Sequence, residues 1–236
     1  MGMCVLIMGE SGAGKTASLR NFERNECMVF SVAGKRLPFK KKLNTINLRN
    51  MASLERYEVI KEMILKYQDK CKTFVIDDSQ YLMGFEELSK VFEKGYQKFT
   101  EMAVHFTDLL NFIASLEDNI IIYLLQHVEK DEDGRIKAKT VGKMIDSKIT
   151  LEGLFETVIL AENNEGNYCF RVKNNGLSTC KTPMGMFDNE TIDNDLKSVD
   201  ETIRDYFEIK EKRSDYWTSF TNDRKINIRT TRCDRK

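Results

Sequence analysis

The sequence of 236 residues predicts a three-layer α/β/α domain around a mainly parallel central sheet, with a hairpin towards its C-terminal end. Two observations carry this prediction. Short, wholly apolar runs alternate with longer segments of helical periodicity, as in sheets that helices cover on both faces. A glycine-rich segment also follows the first apolar run at once, in the place where a strand would turn into a helix.

Seven runs are predicted as strands. The last two flank the turn NNEGN and so form the hairpin. In chain order the runs are Met3–Met8, Cys27–Val32, Thr45–Leu48, Lys72–Asp77, Ile120–Leu125, Thr157–Ala161 and Tyr168–Lys173.

Helical periodicity predicts helices over 14–24, 53–67, 86–116 and 194–206. The third of these carries an apolar stripe, which we interpret as core packing against the sheet rather than as a partner-binding face. Its members are Tyr96, Phe99, Ala103, Phe106, Leu110 and Ile113.

Composition limits the class of protein. Lys plus Arg and Asp plus Glu both number 37, so the net charge is zero and any nucleic acid must meet a local basic patch. The six cysteines are scattered, which favours reduced thiols in a cytoplasmic protein. No apolar run is long enough for a membrane span. Residues 1–209 are predicted as one domain, and 210–236 as a basic tail expected to lack fixed structure.

The segment GESGAGKT matches the phosphate-binding pattern GxxxxGK[ST] between a predicted strand and a predicted helix. Its glycines let backbone N–H groups wrap around phosphates, and the helix N-terminus adds positive potential. Lys15 is expected to reach the β- and γ-phosphates, and the Thr16 hydroxyl to bind Mg²⁺. The segment therefore predicts an ATP or ADP site at Gly9, Glu10, Ser11, Gly12, Ala13, Gly14, Lys15 and Thr16.

A second acid must help to hold Mg²⁺, and the run TFVIDD supplies it at the end of a strand. We assign this metal-binding role to Asp77. Many P-loop ATPases have a water-activating glutamate at the position of Asp78. Whether the shorter aspartate activates water here is left open. At the end of the run IIIYLL, Gln126 and His127 are candidates to sense the γ-phosphate, and for His127 a purely structural hydrogen bond is an equal alternative.

At least one strand and a helix separate the phosphate loop from Asp77 along the chain, and this connectivity resembles RecA-like ATPases. The chain further resembles phage and prophage AAA (RecA-like) ATPases, which include RecA-related single-strand annealing proteins. The resemblance covers about residues 3–209, through GKRLPF, FVIDDSQYLM, KGYQKFTEMA, LLQH, TVGKMIDSKITLEGLFETVIL, KNNG and KTPMGMFDN. It implies ATP hydrolysis, rings or filaments of identical subunits, and action on single-stranded DNA in phage recombination or replication, alongside a phage single-strand-binding or replication protein.

One departure from RecA concerns catalysis. RecA has a catalytic glutamate after its second strand, whereas this chain reads SVAGKRLPF there, so hydrolysis is expected to be slow or to depend on Asp78. Two alternatives therefore stay open: a nucleotide-switched assembly or loader protein that acts on a protein partner, and a small-molecule kinase.

A basic segment follows the candidate γ-phosphate sensors. Three readings are open: its cations bind single-stranded DNA, they contact the ATP of a neighbouring subunit, or they are merely solvated. Its members are Arg135, Lys137, Lys139, Lys143 and Lys148, of which the last two are the stronger candidates for contact with a neighbouring subunit. A second cluster, Lys35, Arg36, Lys40, Lys41 and Lys42, is a weaker DNA candidate.

Overall fold

The computed structural model describes residues 1–95, 97–140 and 150–209. Within them an eight-stranded sheet has the order β10-β9-β8-β1-β5-β4-β2-β3, and a separate hairpin pairs β6 with β7. The strands are β1 Met3–Gly9, β2 Cys27–Ser31, β3 Asn44–Asn47, β4 Thr73–Asp77, β5 Ile121–Gln126, β6 Val128–Lys130, β7 Ile136–Ala138, β8 Thr157–Asn164, β9 Asn167–Arg171 and β10 Thr191–Asp193.

Six of the eight strands are parallel, and their order confirms the predicted connectivity. β5 pairs in parallel with β1 on one side and with β4 on the other, so one strand separates the phosphate loop from the aspartates. β2 pairs with β4 and β3, and β8 pairs with the other side of β1. Parallel strands end at a common edge of the sheet, so the ends of β1, β4 and β5 lie together.

The sheet is buried on both faces, which explains why its strands are continuous apolar runs rather than alternating ones. Leu6 and Met8 of β1 belong to one hydrophobic cluster, whereas Val5 and Ile7 belong to the other. The first cluster is covered by three helices, α1 Ser53–Tyr67, α2 Gln80–Ser89 and α3 Gln97–Ser115. The second is covered by the 3₁₀ segment η1 Thr16–Asn21 and by α4 Leu196–Tyr206. The three-layer prediction is thereby confirmed.

Two predicted helices are wrong in extent. The helix expected over 14–24 is only η1, a 3₁₀ segment of six residues. The helix expected over 86–116 is two helices, α2 and α3, and Gly95 between them has φ +97°, a conformation that a right-handed helix does not contain. The buried positions of α3 are Met102, Phe106, Leu109 and Ile113, so only two members of the predicted stripe are fully buried, and Tyr96 lies outside the described residues.

The predicted hairpin is confirmed as β8 and β9. Its two turn residues, Glu165 and Gly166, have φ values of +54° and +93°. Two consecutive positive φ values are the geometry of a type I′ turn, whose twist suits a two-residue hairpin connection. β10 extends the sheet beyond β9 and was not predicted, because three residues are too few to show a pattern.

A short 3₁₀ segment, η2 Leu151–Leu154, precedes β8. In the described part of the chain, no helix has both the length and the apolar character that crossing a bilayer requires. The predicted tail, 210–236, lies outside the described residues.

Candidate functional site

The phosphate loop, residues 9–16, turns at the carboxyl end of β1, as predicted. Gly9 cannot carry a side chain, because a Cβ there would lie 2.8 Å from the carbonyl oxygen of Ala161 on the neighbouring strand β8. Gly14 has φ +90°, and a Cβ there would lie 2.9 Å from the ring of Tyr168. Both glycines therefore fix the backbone path of the loop.

Lys15 folds back across the loop. Its Nζ donates to the carbonyl oxygens of Gly9 and Glu10 at 2.7 and 2.8 Å, and the residue is only 6% exposed. Burial lowers the pKa of Lys15 to about 8, although the nearby carboxylates of Asp78 and Asp77 oppose that change. The ammonium group is thus held inside the loop, where phosphate oxygens would be its strongest available partners.

Thr16 and Asp77 meet across the gap between β1 and β4. The Thr16 hydroxyl donates to Asp77 Oδ1 at 2.8 Å, which joins the loop to the end of a strand two positions away in the sheet. Burial raises the pKa of Asp77 to about 6, and the charge of Asp78 adds to the effect. The two residues predicted to hold Mg²⁺ are therefore brought together.

These residues fit a magnesium ion. Asp77 and Asp78 are adjacent buried carboxylates, and a cation between loop and strand would relieve their repulsion. Among the described residues no group of three or more His, Cys, Asp or Glu side chains is arranged to hold a metal alone. Mg²⁺ takes one or two protein oxygens and completes its shell with water and substrate phosphates, and Thr16 and Asp77 offer two such oxygens.

Asp78 follows β4 in an unusual backbone conformation, with φ +61°. Its carboxylate is held on both oxygens: Lys35 Nζ lies 2.8 Å from Oδ2, and His127 Nε2 lies 3.3 Å from Oδ1. Burial raises the pKa of Asp78, but the hydrogen bonds from His127 and Lys35 outweigh burial and bring the pKa below its usual value. Asp78 is therefore an anion clamped between two cationic or polar groups.

Gln126 lies at the end of β5 and is fully buried. Its amide oxygen accepts from Ser79 Oγ at 3.1 Å, and its amide nitrogen donates to the carbonyl oxygen of Lys139 at 2.7 Å. The backbone N–H of Lys139 in turn donates to the carbonyl oxygen of His127 at 2.8 Å. The hairpin β6–β7 is thus tied directly to the two candidate sensors of the γ-phosphate.

The basic segment is only partly within the described residues. Arg135 and Lys139 are exposed, at the tip and the end of the β6–β7 hairpin, and Lys137 is paired with Glu129 at 3.2 Å. Lys143 and Lys148 lie outside the described residues. In the second cluster, Lys41 pairs with Glu23, whereas Lys35 reaches into the site.

Three residues next to the loop were not assigned to the site from sequence. Lys35 was predicted only as a member of the second, weaker DNA-binding cluster. Tyr168 of β9 and Asn194 both flank Gly14, and Asn194 is held beside the loop by a hydrogen bond of 2.5 Å from Arg20 to its carbonyl oxygen. The hairpin prediction placed Tyr168 on a strand, but nothing in the sequence shows that β8 lies beside β1.

Two comparisons with known proteins found matches to this chain. The family model described as an AAA domain matches residues 1–184. Among solved structures, the chain is similar to a prototypical ATPase from the type III secretion system of pathogenic bacteria, with 14% identity and a TM-score of 0.45. That match covers 68% of this chain and 51% of the other, so the chain spans about half the length of that ATPase. No curated protein matches the sequence.

Proposed function

Since this chain belongs to the AAA domain family, we propose that it binds ATP with Mg²⁺ on residues 9–16 and hydrolyses it. One observation carries the proposal: the hydroxyl of Thr16 and the carboxylate of Asp77 lie 2.8 Å apart although 61 residues separate them. This pair joins the two halves of a magnesium nucleotide site, the loop that holds phosphates and the strand that holds the metal.

Binding uses the backbone of the loop and one cation. N–H groups of residues 12–16 surround the phosphates, and Lys15 exchanges its two carbonyl partners for phosphate oxygens. Thr16 and Asp77 would hold Mg²⁺, the second directly or through water. The bound ion supplies positive charge that offsets the charge of the phosphate groups.

Hydrolysis requires a group that accepts a proton from the attacking water. In our proposal the carboxylate of Asp78 takes that proton while the water oxygen bonds to the γ-phosphorus and the bond to the β–γ bridging oxygen breaks, giving ADP and inorganic phosphate. His127 orients the carboxylate through its contact with Oδ1. Lys15 stabilises the charge that develops on the phosphate oxygens.

Two variants test the site. Lys15→Ala should weaken ATP binding about ten- to hundred-fold, because it removes a charged hydrogen-bond donor to phosphate. Thr16→Ala should reduce ATP affinity in Mg²⁺ to the value measured in EDTA. Calorimetric titration measures both, thermal melting checks folding, and Lys41→Ala is the matched control because Lys41 pairs with Glu23 away from the loop. Undiminished ATP turnover in Lys15→Ala would refute the proposed site.

We further propose that this ATPase acts on single-stranded DNA, in phage recombination or replication, and that the active form is a homo-oligomer. The attachment of the β6–β7 hairpin to Gln126 and His127 supports this proposal, because a change at the γ-phosphate would move Arg135 and Lys139. Both cations are exposed and available to phosphates.

Oligonucleotide anisotropy, run with a non-hydrolysable ATP analogue and with ADP, tests the DNA role. We expect tighter binding with the analogue, turnover stimulated by the oligonucleotide, and a larger particle by sedimentation. Stimulation by a replication protein instead of DNA would favour the alternative loader role. Absence of oligonucleotide binding at low salt in every nucleotide state would rule out the DNA role.

A further inference from the structure

Tyr168 presents an aromatic ring beside the phosphate loop. The residue lies on β9, and half of its surface (50%) is exposed. A Cβ at Gly14 would lie 2.9 Å from Cδ1 of Tyr168, so the ring packs against the backbone of the loop. The exposed part of the ring is therefore an apolar surface next to the loop that would hold phosphates.

Asn194 lies against the same point of the loop. A Cβ at Gly14 would lie 3.1 Å from Nδ2 of Asn194 and 3.2 Å from its Oδ1. Asn194 is only 3% exposed, yet its Nδ2 has no hydrogen-bond partner among the described residues. A buried donor without a partner is destabilising, so a ligand that supplies the missing acceptor would gain affinity from this group.

The segment that carries Asn194 is tied to the residues that follow the loop. Arg20 of η1 donates to the carbonyl oxygen of Asn194 at 2.5 Å, and Asn21 donates to Asp195 Oδ2 at 2.7 Å. β10, which ends directly before Asn194, pairs with β9, so Tyr168 and Asn194 belong to neighbouring strands. Both side chains are thus held in place before a ligand binds, and binding would require little further ordering.

The proposed ATP site gives a bound nucleotide a direction. The pair of Thr16 and Asp77 marks the metal and γ-phosphate end, on the side of β1 where β5 and β4 lie. β8, β9 and β10 lie on the other side of β1. With its γ-phosphate near Asp77, an extended nucleotide directs its nucleoside away from β4, towards the side where Tyr168 and Asn194 lie.

We propose that Tyr168 and Asn194 form the nucleobase subsite of this ATPase. The base of ATP stacks on the exposed part of the Tyr168 ring, and Asn194 Nδ2 donates to a ring nitrogen on the edge of the base. Aromatic side chains are general stacking partners for bases, and adenine carries acceptor nitrogens on its edge. The inference rests on the proposed ATP site and deepens it, because it assigns the part of the nucleotide that the phosphate loop does not hold.

Binding of ligands with and without a base tests the subsite. Dissociation constants in Mg²⁺ are measured calorimetrically for a non-hydrolysable ATP analogue and for inorganic tripolyphosphate. Tyr168→Ala should weaken the analogue about ten-fold or more, because it removes the stacking surface, and Tyr168→Phe should retain most of the affinity. Asn194→Leu, which removes the donor at similar volume, should weaken the analogue about five-fold. Affinity for tripolyphosphate should stay unchanged in all three variants.

The control variant is Tyr206→Ala. Tyr206 is also partly exposed (41%), but it lies at the far end of α4 and donates to the carbonyl oxygen of Met184, so its removal should alter neither ligand. If Tyr168→Ala weakens the analogue and tripolyphosphate equally, the ring only packs the loop and the inference is wrong. The inference is equally wrong if Tyr168→Ala changes neither affinity. Failure of the wild-type protein to bind either ligand would instead contradict the proposed ATP site itself.

Discussion

Two neighbouring aspartates, Asp77 and Asp78, have pKa values shifted in opposite directions because their surroundings differ. Asp77 has one neutral hydrogen-bond donor, Thr16, and burial raises its pKa to about 6. Asp78 is also buried, but His127 and Lys35 hold its pKa below the usual value. At neutral pH both are ionised, so two adjacent negative charges lie where β4 ends.

These shifts predict how binding of Mg²⁺ and ATP depends on pH. Below about pH 6 Asp77 is protonated and loses its attraction for the metal, and above about pH 8 Lys15 in the free protein loses its proton. Affinity for a non-hydrolysable ATP analogue, titrated calorimetrically in Mg²⁺, should therefore be greatest between these values. Proton uptake on binding should appear above about pH 8, because phosphates raise the pKa of Lys15.

The acid side of that profile has an internal control. Asp78→Asn removes the charge that helps to raise the pKa of Asp77, so the loss of affinity should begin at a lower pH than in wild type. The nucleotide's own ionisation is the same in both proteins and cancels in the comparison. Coincident acid limbs in the two proteins would show that Asp77 does not govern metal binding.

Backbone conformation at Gly14 gives a second prediction at this scale. Gly14→Ala should abolish nucleotide binding, since its φ of +90° strains alanine and the new Cβ would meet the Tyr168 ring at 2.9 Å. The control is Gly166→Ala in the β8–β9 turn, where φ is +93° and a Cβ meets nothing within 4 Å. That variant should lose comparable stability, about 1 kcal/mol, yet bind ATP normally. Normal ATP binding by Gly14→Ala would contradict the tight packing of the loop.

Among the elements, those with a long apolar pattern could be predicted and the shortest could not. β1, β2, β4 and β5 lie within one or two residues of their predicted bounds, because burial on both faces makes each a continuous apolar run. β6, β7 and β10 have three residues each and polar neighbours, so no periodicity marks them. Gly95 lies between α2 and α3, and a glycine at that position could have been used to predict the break in the helix.

The residues of the candidate site likewise divide into those that a sequence pattern predicts and those that only tertiary packing brings to the site. Lys15, Thr16 and Asp77 were assigned correctly as neighbours because a sequence motif and strand order suffice to place them. Lys35 was missed because its role depends on a side-chain contact with Asp78, 43 residues later in the chain, that no local pattern encodes. Tyr168 was missed since the position of β8 beside β1 follows from tertiary packing alone.

The β6–β7 hairpin carries its own prediction. If Arg135 and Lys139 each neutralise one phosphate of single-stranded DNA, the variant Arg135→Ala/Lys139→Ala should reduce the slope of log affinity against log salt by about 1.4, at about 0.7 per contact. Anisotropy with one oligonucleotide at several salt concentrations measures that slope. Lys61→Ala is the control, because Lys61 pairs with Glu58 on the helix α1. An unchanged slope in the hairpin variant would place the DNA elsewhere.

At the scale of the whole molecule, the two ends of the sheet carry different sets of side chains. The carboxyl ends of β1, β4 and β5 hold the ionic side chains of the candidate site. The amino ends of β4 and β5 are closed by α4 through buried contacts. Arg204 of α4 donates to the carbonyl oxygens of Lys72 and Asn119 and to Asp200 Oδ2, and Tyr123 donates to Asp200 Oδ1 at 2.8 Å.

This buried cluster predicts where the stability of the domain is concentrated. Arg204→Met leaves Asp200 ionised or forces it to take up a proton inside the core, and burial already raises the pKa of that carboxyl. The free energy of unfolding should fall by about 3–5 kcal/mol, as for other buried pairs that lose one partner. Asp200→Asn in the same chain should restore part of this loss, since a neutral amide still accepts from Tyr123 and leaves no unpaired charge. Urea denaturation measures both variants, and equal stability of the single and double variants would show that the charge of Asp200 is not what Arg204 offsets.

The buried cluster lies at the amino ends of the strands, away from the phosphate loop. Arg204→Met should therefore leave ATP affinity at low temperature unchanged, which separates the stability of the domain from binding at the opposite edge of the sheet.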